Sequence, residues 1–541
     1  MTSRGRMLLL AALSLGACLV GVELLITAVA LPAIVADLAG WTELRRASWI
    51  VNGYALTYIS VMPLAGRAAD RYGLPRLFAL SLIIFAIGSV LSGAAQTLDQ
   101  LVLARVIQGI GAGAVVPLAT AGASHLFDGP GRARALGVIG AFTFLGMALG
   151  PFAGAYILQS LELGPSLAGA GLADSPVTTF VVPAWRWIFY LGAPLAILVL
   201  IYTWAAAPAW PRPTERGRLD ILGAGLFTTT LAIGLLALTR LGDENAGFPG
   251  AAELGIATLL LAVITVLQNL RSKGPFLELR QLRDRVFSAA VVLSLLTGYA
   301  LATVIIGAAV FVDRVHYAGP DEQRVVLGSL ALAMAIGALG SGFALRLLSA
   351  VLISMVGLAA SIGGLLLLAN AAPETSVESL VVGVSLFGFG FGLTVTPRST
   401  AAVEALGRKA FGVASAGVTV ARMAGMAVGL AVLTGFGSRR IESLSTVLVD
   451  PVARDAVLPP ELRGRVLEDG LVVDALERWA SQQAASILGS LMLVAAIVLV
   501  AAIVPTLLMG NGSRRRSDRR TIATDERIDE EAGAAQAALA L

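Results

Sequence analysis

Apolar residues run through this chain in long unbroken stretches, with polar residues gathered between them. A stretch of about 19–20 apolar residues spans a bilayer as a helix. On that criterion the sequence predicts fourteen spans. They lie near 8–33, 48–66, 77–96, 101–124, 135–159, 185–206, 219–241, 252–270, 286–312, 324–346, 349–370, 377–403, 410–437 and 484–509. An even number places both termini on one side. Two connections are long. Residues 160–184 are rich in Gly, Pro and Ser and predict an irregular external loop. Residues 438–483 are polar, and "PPELRGRVLEDGLVVDALERWASQQ" sets Leu462, Val466, Leu471, Ala475 and Trp479 at mostly helical spacing. That segment is an amphipathic helix at the outer surface, an extension of the last span, or a solvated loop folded onto its neighbours.

Composition agrees with the pattern. Hydrophobic residues make up 57% of the 541 positions and charged residues 14%, where soluble chains carry about 25% charged. The mean hydropathy is +0.83. This is an integral membrane protein by bulk properties alone, and 60 glycines suit helices whose backbones approach closely. The one cysteine, Cys18, sits in an apolar run and reads as a small core residue. A net charge of +4 does not suggest a nucleic-acid binder. Instead, Lys and Arg collect in alternate connections: Arg4 and Arg6; Arg67, Arg71 and Arg76; Arg132 and Arg134; Arg212, Arg216 and Arg218; Arg271 to Arg285; Arg346; Arg408 and Lys409; and "RRRSDRR" at 514–520. Positive residues mark the cytoplasmic face, so both termini are expected inside, in the cell membrane. A competing reading of the first segment, a signal peptide ending at "AVA" 28–30, conflicts with its length and with Glu23.

Glu23 changes the picture most. A charge at mid-bilayer costs roughly 2.5–3.5 kcal/mol and persists where it is paired, protonated or facing a cavity. Arg105 and Arg422 also lie well inside apolar spans, while Arg398 and Glu404 sit at or near the cytoplasmic end of the twelfth. Glu23, gaining and losing a proton beside the candidate cations Arg105 and Arg422, forms a candidate proton-coupling group. The alternative for each arginine is a fixed packing ion pair. Energy does not come from ATP bound by this chain. Its lysines are Lys273 and Lys409, and neither follows a glycine in a phosphate-binding loop. "GIGAGA" and "GFGFG" fall inside spans and read as helix packing. No hydrolase elbow or zinc spacing occurs, so neither an enzyme nor a metal site is expected.

The short basic turn "GRAADRYGLPR", 66–76, resembles the cytoplasmic signature of the major facilitator superfamily. Gly66, Asp70, Arg71, Gly73 and Arg76 match it, and Leu74 and Pro75 depart from its basic cluster. "LVLARVIQGIGAGAVVP", 101–117, resembles the fourth-span motif through Arg105, Gln108 and Gly109. "GVIGAFTFLGMALGPFAGAYI", 137–157, resembles the fifth-span antiporter motif through Gly146, Gly150, Pro151 and Gly154. "GVELLITAVALP", 21–32, is similar to the first-span motif of fourteen-span drug:proton antiporters, with Glu23 where Asp is usual and Ala28 where Asn is common. "WRWIFYLGAP" and "RLDILGAG" extend that likeness. Residues 48–73 and 412–431 resemble the mycobacterial triacylglyceride and drug exporters, which work with a periplasmic lipoprotein and carry a fifth-span acid where Phe144 stands here.

The resemblance implies an all-α major facilitator fold with two six-helix bundles, 1–206 and 284–510. Residues 207–283 would be a linker with two extra transmembrane helices, and residues 511–541 a disordered cytoplasmic tail. It implies a monomeric proton-coupled exporter of drugs or lipids that rocks around a midplane site and uses the proton gradient rather than a cofactor. A triacylglyceride-like lipid exporter with a lipoprotein partner is the narrower alternative. A receptor without transport is disfavoured by the retained Glu23 and Asp70. An importer of polar solutes is disfavoured by the scarcity of polar residues in the spans.

Overall fold

The computed structural model describes residues 3–38, 49–161, 163–169, 175–176, 178–205, 220–240, 249–272, 275, 279–318, 320–407, 413–429, 432–433, 450–464 and 470–510, with some side chains inside these ranges left undescribed. Regular structure among them is entirely helical. The long elements are α1 Ser3–Leu38, α2 Trp49–Tyr72, α3 Leu74–Ala94, α4 Leu98–Leu126 and α5 Gly129–Ser160. They continue with α6 Trp185–Ala205, which is interrupted at Leu191, α7 Ile221–Thr239 and α8 Ala251–Arg271. Then come α9 Arg285–Arg314, α10 Pro320–Ala344, α11 Ala350–Ala369, α12 Val377–Leu406, α13 Val413–Gly429 and α14 Gly470–Ala501, whose helical path runs on to Gly510.

Among the described residues, eleven of these are long and apolar enough to cross a membrane. The remaining three explain themselves. In α2 the apolar run is interrupted by Asn52, Tyr54, Thr57, Tyr58 and Ser60. The apolar part of α7 is Ile221–Gly234, and α13 is confined to Val413–Gly429. Their positions still match expected spans, because an apolar run between polar turns closes its backbone hydrogen bonds only as a helix.

Helix starts follow local chemistry. Asp284 accepts from the amides of Val286 and Phe287, both at 3.0 Å, and opens α9. Thr97, Ser349 and Ser376 cap α4, α11 and α12 in the same way. The α2–α3 turn pivots on Gly73, whose φ of 91° and ψ of 136° suit glycine alone.

Glycine sets the close contacts. A Cβ on Gly146, Gly150 or Gly154 of α5 would run into α1 at Cys18, Val22 and Ile26, and one on Gly21 would strike the Thr143 carbonyl. The antiporter-motif ridge is therefore the α1–α5 seam. The same seam recurs between α9 and α13, where Gly298, Gly425 and Gly429 face Arg422, Leu295 and Tyr299. On α4, Gly109 and Gly113 abut α2 at Tyr54 and Tyr58, while Gly111 abuts α3 at Phe85. On α12, Gly388 and Gly392 abut α10, and Gly390 abuts α11 at Gly357.

The two groups of helices are sewn together by exchange. Phe144 and Met147 of α5 pack in the core of α9–α12 and α14, and Val420 and Met423 of α13 pack in the core of α1–α5. Leu458, Val472 and Leu476 form a small satellite cluster. The last helix thus begins at Gly470, ahead of the expected 484, and extends the final span. Its inward face carries Val472 and Leu476, whereas Leu471, assigned to that face from the sequence, is 56% exposed. Val466 lies outside the described residues. The expected irregular loop 160–184 contains short helical pieces at Leu163–Gly169 and Thr178–Val181. The tail 511–541 also lies outside the described residues.

Candidate functional site

On α4, Arg105 and Gln108 are three residues apart and share one face. That face meets α1 at Glu23, α2 at Tyr54 and α3 at Ser89. Arg105 and Glu23 form an ion pair through Nη1 and Oε1, with the residues only 1% and 2% exposed. The same Nη1 donates to Gln108 Oε1. Arg105 Nε donates to the Ile50 carbonyl at 3.3 Å, and Gln108 Nε2 donates to Ser89 Oγ at 2.8 Å. Thr27 Oγ1 reaches the Glu23 carboxylate at 3.5 Å. The Arg105 guanidinium lies 4.1 Å from the centre of the Tyr54 ring.

A buried ion pair is not itself a stability device, since desolvation of two charges offsets their attraction. Five helices nevertheless converge to satisfy this one, with Phe189 of α6 also 5.3 Å from the guanidinium. The arrangement holds an ionisable carboxyl away from bulk water with Arg105 as the one cation against it among the described residues.

Tyr54 stacks on Tyr58 with ring centres 5.8 Å apart at 16°. Tyr58 in turn lies within electrostatic reach of Arg422 on α13, which faces Arg398 on α12. The two arginines line a cavity of about 40 Å³ between the helix groups, together with Thr120, Thr143, Phe144 and Thr419. It has room for roughly three water molecules. At one end, Thr120 of α4 and Ser415 of α13 meet through their hydroxyls.

The candidate coupling residues therefore divide. Glu23 and Arg105 come together. Arg422 is not among the partners of Glu23 and sits across the Tyr54–Tyr58 stack, beside the cavity. Arg398, placed near the end of the twelfth span from the sequence, is 1% exposed, because α12 continues past it to Leu406. Gln108 and Gly109 join the same region from the fourth-span motif. In the 66–76 turn, Gly66 and Gly73 are buried and Arg76 is exposed, while the side chains of Asp70 and Arg71 lie outside the described residues. Pro151 is buried within α5. Ser89, Tyr54 and Tyr58 were not singled out from the sequence, where they read as ordinary residues of apolar runs.

The sequence profile of the Major Facilitator Superfamily matches residues 13–430. The chain belongs to that superfamily of transporters and is a multi-pass membrane protein. It is 31% identical over 412 residues to a triacylglyceride transporter of Mycolicibacterium hassiacum, covering 74% of this chain and 73% of that protein. With a triacylglyceride transporter of Mycolicibacterium smegmatis the identity is 28% over 482 residues, covering 86% and 82%. Among solved structures it resembles a bacterial homologue of the human lysosomal transporter Spinster, in an inward-facing and unoccupied conformation. The TM-score is 0.58 at 19% identity, over 94% of this chain and 99% of that one. The proton:xylose symporter XylE gives a TM-score of 0.54 at 15% identity, over 92% and 95%. These two likenesses concern the fold.

Proposed function

We propose that this chain is a proton-coupled exporter of hydrophobic or amphipathic compounds, drugs or lipids, working by alternating access in the cell membrane with both termini inside. The observation that carries this reading is the buried Glu23–Arg105 pair, joined through the Tyr54–Tyr58 stack to the cavity between the helix groups. Protonating Glu23 neutralises one member of the pair and frees Arg105 to strengthen its other contacts. That shift moves α1 against α4 and passes through Tyr54 to the wall of the cavity. Substrate in the cavity and a proton on Glu23 then bias the same set of helices.

The reading includes fourteen spans in two six-helix halves, with α7 and α8 between them. Support comes from the glycine seams, which recur in order: α1–α5 and α9–α13, α4 on α2 and α3, α12 on α10 and α11. The basic connections support both termini inside. The working unit is a monomer driven by the proton gradient, without a cofactor.

A second reading is dedicated export of a triacylglyceride-like lipid with a lipoprotein partner; its lipid cargo is favoured by the names of the mycobacterial relatives. Proteoliposomes with an imposed pH gradient test both, using a cationic dye and a labelled triglyceride in parallel. Movement of either against its gradient, abolished by collapsing the pH difference, supports proton-coupled export. Movement of the triglyceride alone selects the second reading, and movement of neither overturns both.

A further inference from the structure

The cavity between the helix groups contains an imbalance of charge. Arg398 and Arg422 both line it, and no described carboxylate pairs with either. Arg398 donates one bond from Nη1 to Thr297 Oγ1 and lies 5.2 Å from the Phe391 ring. Its Nε, the Nε of Arg422 and the hydroxyl of Tyr58 are all buried without a hydrogen-bond partner. Unmet buried donors are costly, and two guanidiniums facing each other in a low-dielectric site repel. All three unmet groups lack an acceptor, and the two guanidiniums have no described carboxylate beside them. The fifth-span position that could supply one holds Phe144, whose ring packs edge-on against Phe391 instead. Besides the hydroxyls of Thr120, Thr143, Ser399 and Thr419, the wall has an apolar part that includes Leu136, Ile139 and Val395.

We propose that this cavity binds the oxyanion head of an amphiphile, a carboxylate or phosphate on an alkyl body, with Arg398 and Arg422 as its binding residues. The head completes the guanidinium hydrogen bonds, and the alkyl body lies along the apolar wall as the cavity widens. This rests on the reading of the chain as an exporter of amphipathic cargo and narrows the cargo to anions.

The test measures equilibrium binding of radiolabelled laurate and dodecanol to the full-length protein in a neutral maltoside detergent, with inorganic phosphate as competitor. A charge-assisted hydrogen bond set predicts laurate binding about ten- to a hundredfold tighter than dodecanol. The paired substitution Arg398→Gln with Arg422→Gln removes that preference, bringing laurate to the affinity of dodecanol. Inorganic phosphate at the same concentration does not displace laurate. Equal affinity for laurate and dodecanol in the unaltered protein overturns the proposal whether or not the variant folds. Persistence of the preference in the paired variant, or displacement by phosphate alone, overturns it as well. If laurate shows no preference while proteoliposomes still export triglyceride, the anion site falls and the export reading stands. If laurate is preferred but nothing is transported, the outcome is reversed.

Discussion

Replacing Arg105 with glutamine leaves Glu23 buried without its cation. Arg105 supplies the ion pair, a bond to Gln108, a bond to the Ile50 carbonyl and the cover over Tyr54. Stacking of the guanidinium on Tyr54 contributes roughly 1–2 kcal/mol, but removal of one partner of a buried pair costs about 3–5 kcal/mol. The stranded carboxylate is therefore the larger effect. Glu23→Gln keeps an acceptor for Arg105 but strands the guanidinium, which cannot shed its charge, so its cost is also about 3–5 kcal/mol. Combining the two removes both charges and recovers at least about 2 kcal/mol of the Arg105→Gln loss, since a neutral pair carries no desolvation penalty. The assay is reversible unfolding of the purified protein in mixed micelles by SDS titration, read as a double-mutant cycle. Additive losses, with the double variant no better than Arg105→Gln, would refute the claim that these two charges hold each other.

Other outcomes follow from the same contacts. Gly146→Ala drives a methyl into the Cys18 carbonyl of α1 and lowers thermal stability, whereas Gly255→Ala on α8 meets open space and is neutral or stabilising by up to about 1 kcal/mol; paired melting curves in detergent check the contrast. Gly73→Ala forces a side chain into a conformation only glycine adopts freely and costs about 1–3 kcal/mol, read by the same melting curves. Tyr58→Phe keeps the stack on Tyr54 while removing the hydroxyl near Arg422. Because that hydroxyl is buried without a partner, its removal is expected to be neutral or stabilising and to reduce pH-dependent transport several-fold in proteoliposomes.

The fold was legible because membrane-spanning helices announce themselves by length and hydropathy, and because the glycines of "GIGAGA" and of the fifth span fall where backbones must touch. Glu23 and Arg105 stood out since charge in an apolar run has few excuses. The choice of partner was not legible. Arg105 and Arg422 are equivalent in sequence terms, and only the rotation of α4 and α13 about their axes decides which one faces α1. Tyr54 and Tyr58 fall four residues apart on one helix face, a spacing that core packing uses just as often. Arg398 read as interfacial because span ends are set by hydropathy windows, while helix α12 is set by hydrogen bonds that run beyond them. Ahead of the last span, Leu462 and Ala475 pack as their spacing predicted, whereas Leu471 was set on the face that Val472 takes, since a short polar stretch fixes helix phase poorly.

The central claim is that the proton acts through Glu23. Proteoliposomes holding either the unaltered protein or Glu23→Gln, each given a transportable substrate and a series of imposed pH differences, examine it most directly. The unaltered protein is expected to concentrate substrate in proportion to the pH difference, and Glu23→Gln to equilibrate substrate without concentrating it, at a rate indifferent to pH. Uphill movement by Glu23→Gln with the pH response of the unaltered protein contradicts the account.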